Sequence, residues 1–172
     1  MLPGAIAGAG ACVVVFALFS MLWSGTMQNA FAYIGSSYSA VPADASATDR
    51  VIYFAIFAVT GMTFSPIGEE LLYRGVAQEC LRRRLGMTRA ALVDAAAFAV
   101  VHLAHFGVVY TAVGGWEFLP VPASLWVATM FASALVFHAF RVLTGSILGA
   151  IASHAGFNLA MTFVIFFVVD VV

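Results

Sequence analysis

Three short patterns in this chain set proton-handling side chains one helical turn apart within apolar sequence: Glu69-Glu70-x-x-x-Arg74, Phe98-x-x-x-His102 and His154-x-x-x-Asn158. Members at i and i+4 share a helix face. Glu70 and Arg74, with the acid first, read as an ion pair that braces their helix. Glu69 points about 100° away around the same helix and has no basic partner there. A carboxylate drawn out of water and left unpaired suits general acid-base work near neutral pH. Phe98 would wall a pocket and orient the His102 ring. His154 and Asn158 are two hydrogen-bond donors on one face, the equipment of an oxyanion hole. The plainer readings are interfacial glutamates, and His-Asn pairs that only bond helix to helix.

The surrounding sequence places these groups in lipid. The 172 residues are 63% hydrophobic and 9% charged, and the mean hydropathy is +1.04. Soluble domains carry about a quarter charged residues, so the chain reads as an all-α, polytopic membrane bundle forming one domain, 1–172. A net charge of −1 leaves no basic footprint for nucleic acid. The expected partners are membrane lipid and a peptide or membrane-protein substrate. Cys12 and Cys80 read as ordinary membrane-helix residues without a disulfide. Five apolar stretches of roughly 20 residues or more predict five transmembrane helices, at 3–23, 51–79, 90–110, 121–140 and 145–169. The first has no basic residue ahead of it and is long enough to span, so it reads as a retained helix rather than a leader. It is expected to be peripheral to a catalytic core over 51–169.

Arginines set the orientation. Arg82, Arg83, Arg84 and Arg89 crowd one connection and Arg141 lies in another, whereas the opposite side carries only Arg50. The positive-inside rule puts the arginine-rich loops and the N-terminus in the cytoplasm and the C-terminus outside. Glu69 is 13 residues from Arg82, His102 is 13 from Arg89, and His154 is 13 from Arg141. At about 1.5 Å per residue all three lie at one depth. Three helices that each deliver a polar group to one level can build a single polar intramembrane cavity, opening sideways or toward the cytoplasm. Ser65-Pro66 ahead of the glutamates predicts a helix restart, with Ser65 as N-cap and Pro66 in the first turn. Gly145, Gly149 and Ser153 repeat every four residues and predict close helix packing behind His154. Thr111 to Pro122 reads as a short loop with Trp116 as an aromatic anchor.

The ordered set of motifs, with Gly68-Glu69-Glu70-Leu71-Leu72-Tyr73-Arg74-Gly75, Phe98-Ala99-Val100-Val101-His102 and Ser153-His154-Ala155-Gly156-Phe157-Asn158, resembles the CAAX protease and bacteriocin-processing (CPBP, abortive-infection) family of intramembrane proteases. The resemblance covers roughly residues 64 to 160. It implies a membrane endopeptidase of the glutamic type without a metal cofactor. Glu69 and His102 would activate a water, His154 and Asn158 would hold the oxyanion, and Glu70, Arg74 and Phe98 would support the site. A multi-pass protein of a prokaryotic plasma membrane is expected. Two rivals stand beside this reading: a zinc protease using Glu69 and both histidines, and a non-catalytic membrane immunity or adaptor protein.

Overall fold

A computed structural model describes the chain except residues 39, 43, 112–113 and 170–172. Helices dominate because a backbone in lipid must satisfy its own hydrogen bonds. α1 (Leu2–Trp23) starts with Pro3 in its first turn. α2 (Ala30–Ser36) is a short helix, capped by Asn29, in the polar connection that follows. α3 (Ala47–Glu70) opens with a capping box between Ser46 and Asp49. It runs without a break through a π-helical stretch, Leu71–Ala77, into α4 (Gln78–Leu85). After Gly86, at φ 75°, α5 (Met87–Val101) returns and closes with a 3-10 turn, His102–Ala104. α6 (Pro120–Thr144) and α7 (Ile147–Val164) complete the bundle, and a second π-helical stretch, Ile165–Val169, follows. Five helical runs, Leu2–Trp23, Ala47–Leu85, Met87–Ala104, Pro120–Thr144 and Ile147–Val169, are long and apolar enough to cross a membrane. Large apolar side chains such as Met21, Phe64 and Leu143 cover the outside. The chain is a multi-pass membrane protein.

Four local expectations are corrected. The helix does not restart at Ser65: Pro66 lies inside α3, and Ser65 bonds a side chain instead of capping. Its glutamates therefore sit in the last turn of a long helix, where the first-turn dipole offers them nothing. The third span stops near Ala104 rather than 110. Gly107, at φ 124°, breaks it, and the β-branched residues beyond pair as β1 (Val108–Thr111) with β2 (Gly115–Phe118). That antiparallel hairpin, with Tyr110 opposite Trp116, replaces the expected loop. Gly145 is not on α7; it is the left-handed cap that ends α6, at φ 63°. Ser146 then caps α7 by accepting a bond from the Leu148 amide. The C-terminal end, which the arginine pattern assigns to the outside, falls beyond the described residues.

α7 is the central element. It packs along α1 on one side and along α3 and α6 on the others. On α1 the inward face is Gly4, Gly8, Cys12, Val15 and Phe19. A Cβ on Gly8 would overlap the Ser153 carbonyl, and one on Gly156 would overlap the Ala5 carbonyl. Glycine permits this backbone approach, which lipid-embedded helices exploit because dispersion between them replaces the hydrophobic effect. The core beside α7 is aromatic: Phe19, Phe106 and Trp126 meet edge to face, as do Phe98 and Phe137.

Candidate active site

Where α3 widens into the π-helical stretch, Glu69 and Glu70 diverge. π turns cluster at functional sites because one extra residue per turn re-aims the side chains around it. Glu69 looks into a cavity of about 330 Å³, while Glu70 is fully buried behind it. His102, His154 and Asn158 line the same cavity from α5 and α7, along with Phe98. The common depth read from the arginines thus corresponds to one shared space.

The Glu69 carboxylate accepts a hydrogen bond from Ser65 Oγ through Oε1. Its Oε2 is buried, has no hydrogen-bond partner among the described residues, and lies 3.9 Å from His102 Nε2. His102 is fixed from three sides. Its Nδ1 meets the Phe98 carbonyl at 2.7 Å, and a carbonyl only accepts, so Nδ1 carries the hydrogen. The Phe98 ring lies 4.3 Å from the imidazole, and Trp126 Nε1 donates to the His102 carbonyl at 2.9 Å. A neutral His102 therefore offers a basic Nε2 lone pair beside a carboxylate oxygen. His105 adds a further ring 5.1 Å away.

His154 is set differently. Its Nδ1 is 2.9 Å from Glu70 Oε1, and the same oxygen accepts from Arg74 Nη1 at 3.1 Å. The Phe137 ring stacks on the imidazole at 4.6 Å. Nε2 is left as the nitrogen free for the cavity. Asn158 Nδ2 donates one hydrogen to the Gly61 carbonyl at 2.9 Å, which ties α7 to α3 and leaves a second N–H. Arg74 is buried, donates to the Ala134 carbonyl at 3.0 Å, and lies 4.5 Å over the Phe98 ring. The expected Glu70–Arg74 pair is present, and it also reaches His154, which no spacing within one helix reveals.

Two features of the cavity were not legible in the motifs. Ser65, expected at a helix start, is the hydrogen-bond donor to Glu69. Tyr38, from the polar connection before α3, stacks on Phe57 at 4.5 Å and closes the cavity together with Ile34 and Ser37. Burial pushes the Tyr38 phenol up, so it remains a protonated donor at neutral pH. The cavity extends from Glu69 toward α2, away from the arginine-rich end, so of the two expected openings, sideways or toward that end, the second is not found. Among the described residues no three His, Cys, Asp or Glu side chains are grouped to hold a metal ion. His154 Nδ1 is directed at Glu70 and His102 Nδ1 at a carbonyl, which leaves the Nε2 atom of each ring toward the cavity.

Comparison with known proteins returns a family match. Residues 51–160 match the family described as type II CAAX prenyl endopeptidase Rce1-like. Neither a curated protein nor a solved structure matches the chain. The matched segment begins in α3 and ends in α7, so it contains all three polar motifs but not Ile34, Ser37 and Tyr38 of the cavity wall. With that match over more than half of its length, the chain belongs to the Rce1-like family of type II CAAX prenyl endopeptidases.

Proposed function

We propose that the chain is a metal-free intramembrane peptidase that hydrolyses a peptide bond with a water activated by Glu69 and His102. The observation that carries this reading is the pairing of two proton acceptors at 3.9 Å, Glu69 Oε2 and His102 Nε2, on the wall of one cavity. A water has two hydrogens, and a site with two convergent acceptors holds it with its oxygen lone pair free to attack. Ser65 holds the carboxylate and the Phe98 carbonyl holds the imidazole, so both acceptors are fixed before substrate arrives.

In this mechanism the water oxygen attacks the scissile carbonyl carbon as Glu69 takes a proton. The negative carbonyl oxygen is met by His154 Nε2–H, with the ring held at Nδ1 by Glu70, and by the second Asn158 N–H. As the C–N bond breaks, the proton taken from water passes to the leaving nitrogen, which returns Glu69 to its carboxylate form. The products are a new carboxylate and a new amine. Such oxyanion donors each contribute about 10²–10³ in turnover.

The test is N-terminal peptide profiling of membranes from cells that express wild-type protein or Glu69→Gln at equal levels. The expected result is a set of new N-termini that only the wild-type protein produces. The same N-termini in both samples would discard the reading.

A further inference from the structure

The buried charges behind His154 do not stop at Glu70 and Arg74. Asp94 sits on α5 one turn before Phe98, on the face that also carries His102, and is 2% exposed. Its Oδ2 lies 3.5 Å from Arg74 Nε. Neither Asp94 oxygen has a hydrogen-bond partner among the described residues, and the same is true of Arg74 Nε. A second carboxylate in the protein interior is costly, and the Glu70–Arg74 pair already balances its own charge. Folding alone does not call for Asp94.

We propose that Asp94 is a positioning residue for the hydrolysis, acting through Arg74 and Glu70 on the His154 imidazole. Two consequences of its place support this. First, the Arg74 guanidinium is held at every edge. Nη1 is on Glu70, Nη2 on the Ala134 carbonyl, Nε faces Asp94, and Phe98 lies below the plane. Asp94 is the carboxylate that faces the Nε end, and its attraction bears on which way Nη1 pulls Glu70 Oε1. That oxygen also aligns His154. Second, for His154 to present an Nε2–H while Nδ1–H faces Glu70, the ring must be an imidazolium before the oxyanion forms. In that waiting state Asp94, Glu70, Arg74 and the ring sum to zero, whereas without Asp94 they leave one uncompensated positive charge in a low-dielectric interior.

The inference rests on the peptidase reading, so both are tested together. Purified protein in liposomes is assayed on a peptide that spans a cleavage site found by the profiling, with Glu69→Gln as control. Asp94→Asn is expected to lower kcat about 10-fold or more with KM unchanged. Asp94→Glu restores part of the loss. In a His154→Ala background Asp94→Asn costs nothing further, because its effect is routed through that ring. Asp94→Ser serves beside Asn as a second neutral variant, with folding followed by gel filtration and tryptophan fluorescence. A folded neutral variant with wild-type kcat, or an undiminished Asp94→Asn effect in the His154→Ala background, overturns the role. So does a failure of both neutral variants to fold, which makes Asp94 structural. A silent Asp94 with an inactive Glu69→Gln leaves the peptidase reading standing, whereas an active Glu69→Gln ends it.

Discussion

Glu69, His102 and His154 are each tied down by a group that leaves one of their atoms facing the cavity. Ser65 occupies one oxygen of Glu69, the Phe98 carbonyl occupies one nitrogen of His102, and Glu70 occupies one nitrogen of His154. This arrangement makes Ser65 testable. Ser65→Ala keeps the helix, which prefers alanine, and frees Glu69 to rotate. Turnover is expected to fall about 3- to 10-fold with little change in melting temperature, in line with the loss of one hydrogen bond worth about 1 kcal/mol. Steady-state cleavage beside thermal melting in detergent checks it. Glu70→Gln is expected to cost more than Ser65→Ala in both measurements. It leaves buried Arg74 facing a neutral amide, and breaking a buried pair costs about 3–5 kcal/mol. That Glu70 pairs with Arg74 while Glu69 faces another way was legible from spacing, since only Glu70 is i, i+4 from an arginine. The Glu70–His154 bond was not, because it joins α3 to α7 across 84 positions of chain.

The helices reach the site by devices that differ in how plainly sequence announces them. Apolar length marked five spans, and the Ser46–Asp49 capping box follows ordinary rules, whereas Gly145 read as part of the α7 stripe and is the cap of α6. Pro66 misled because a proline reads as a break. Membrane helices tolerate an internal proline, and here the helix continues past it into a π stretch. The hairpin was hidden inside an apolar run, where Val108, Val109 and Tyr110 look like the end of a span until Gly107 is given its backbone conformation. The stripe Gly149–Ser153 was legible, but its partner, the Gly4–Gly8 face of α1, became visible only in the packing. That contact sets the position of the helix carrying His154 and Asn158. Gly8→Leu is expected to force α1 off Ser153, destabilise the protein by about 1–3 kcal/mol and depress cleavage. Melting temperature and activity are read together. Gly10→Leu, on an open side of α1 with nothing near its Cβ position, leaves both at wild-type levels.

Across the whole molecule, charge and cavity point to opposite ends. The arginine cluster lies beyond α4, whereas the cavity walls continue toward α2 through Ile34, Ser37 and Tyr38. The positive-inside rule predicts the arginines on the cytoplasmic side, and in that orientation the site would be approached from the external half of the membrane. In a background of Cys80→Ser, with Cys12 buried, a membrane-impermeant thiol reagent on intact cells is expected to label Ser36→Cys and to spare Thr88→Cys until the membrane is opened. The reverse pattern inverts the orientation. The claim beneath all of this is that Glu69 and His102 turn a water into the nucleophile without help from a metal. It is tested most directly by the cleavage rate of purified protein in liposomes after exhaustive chelation, for the wild type, Glu69→Gln and His102→Ala. Full wild-type turnover after chelation, with a loss of about 10²-fold or more in each variant, is the predicted result. Wild-type rates in either variant, or turnover that vanishes with the chelator and returns with zinc, would contradict it.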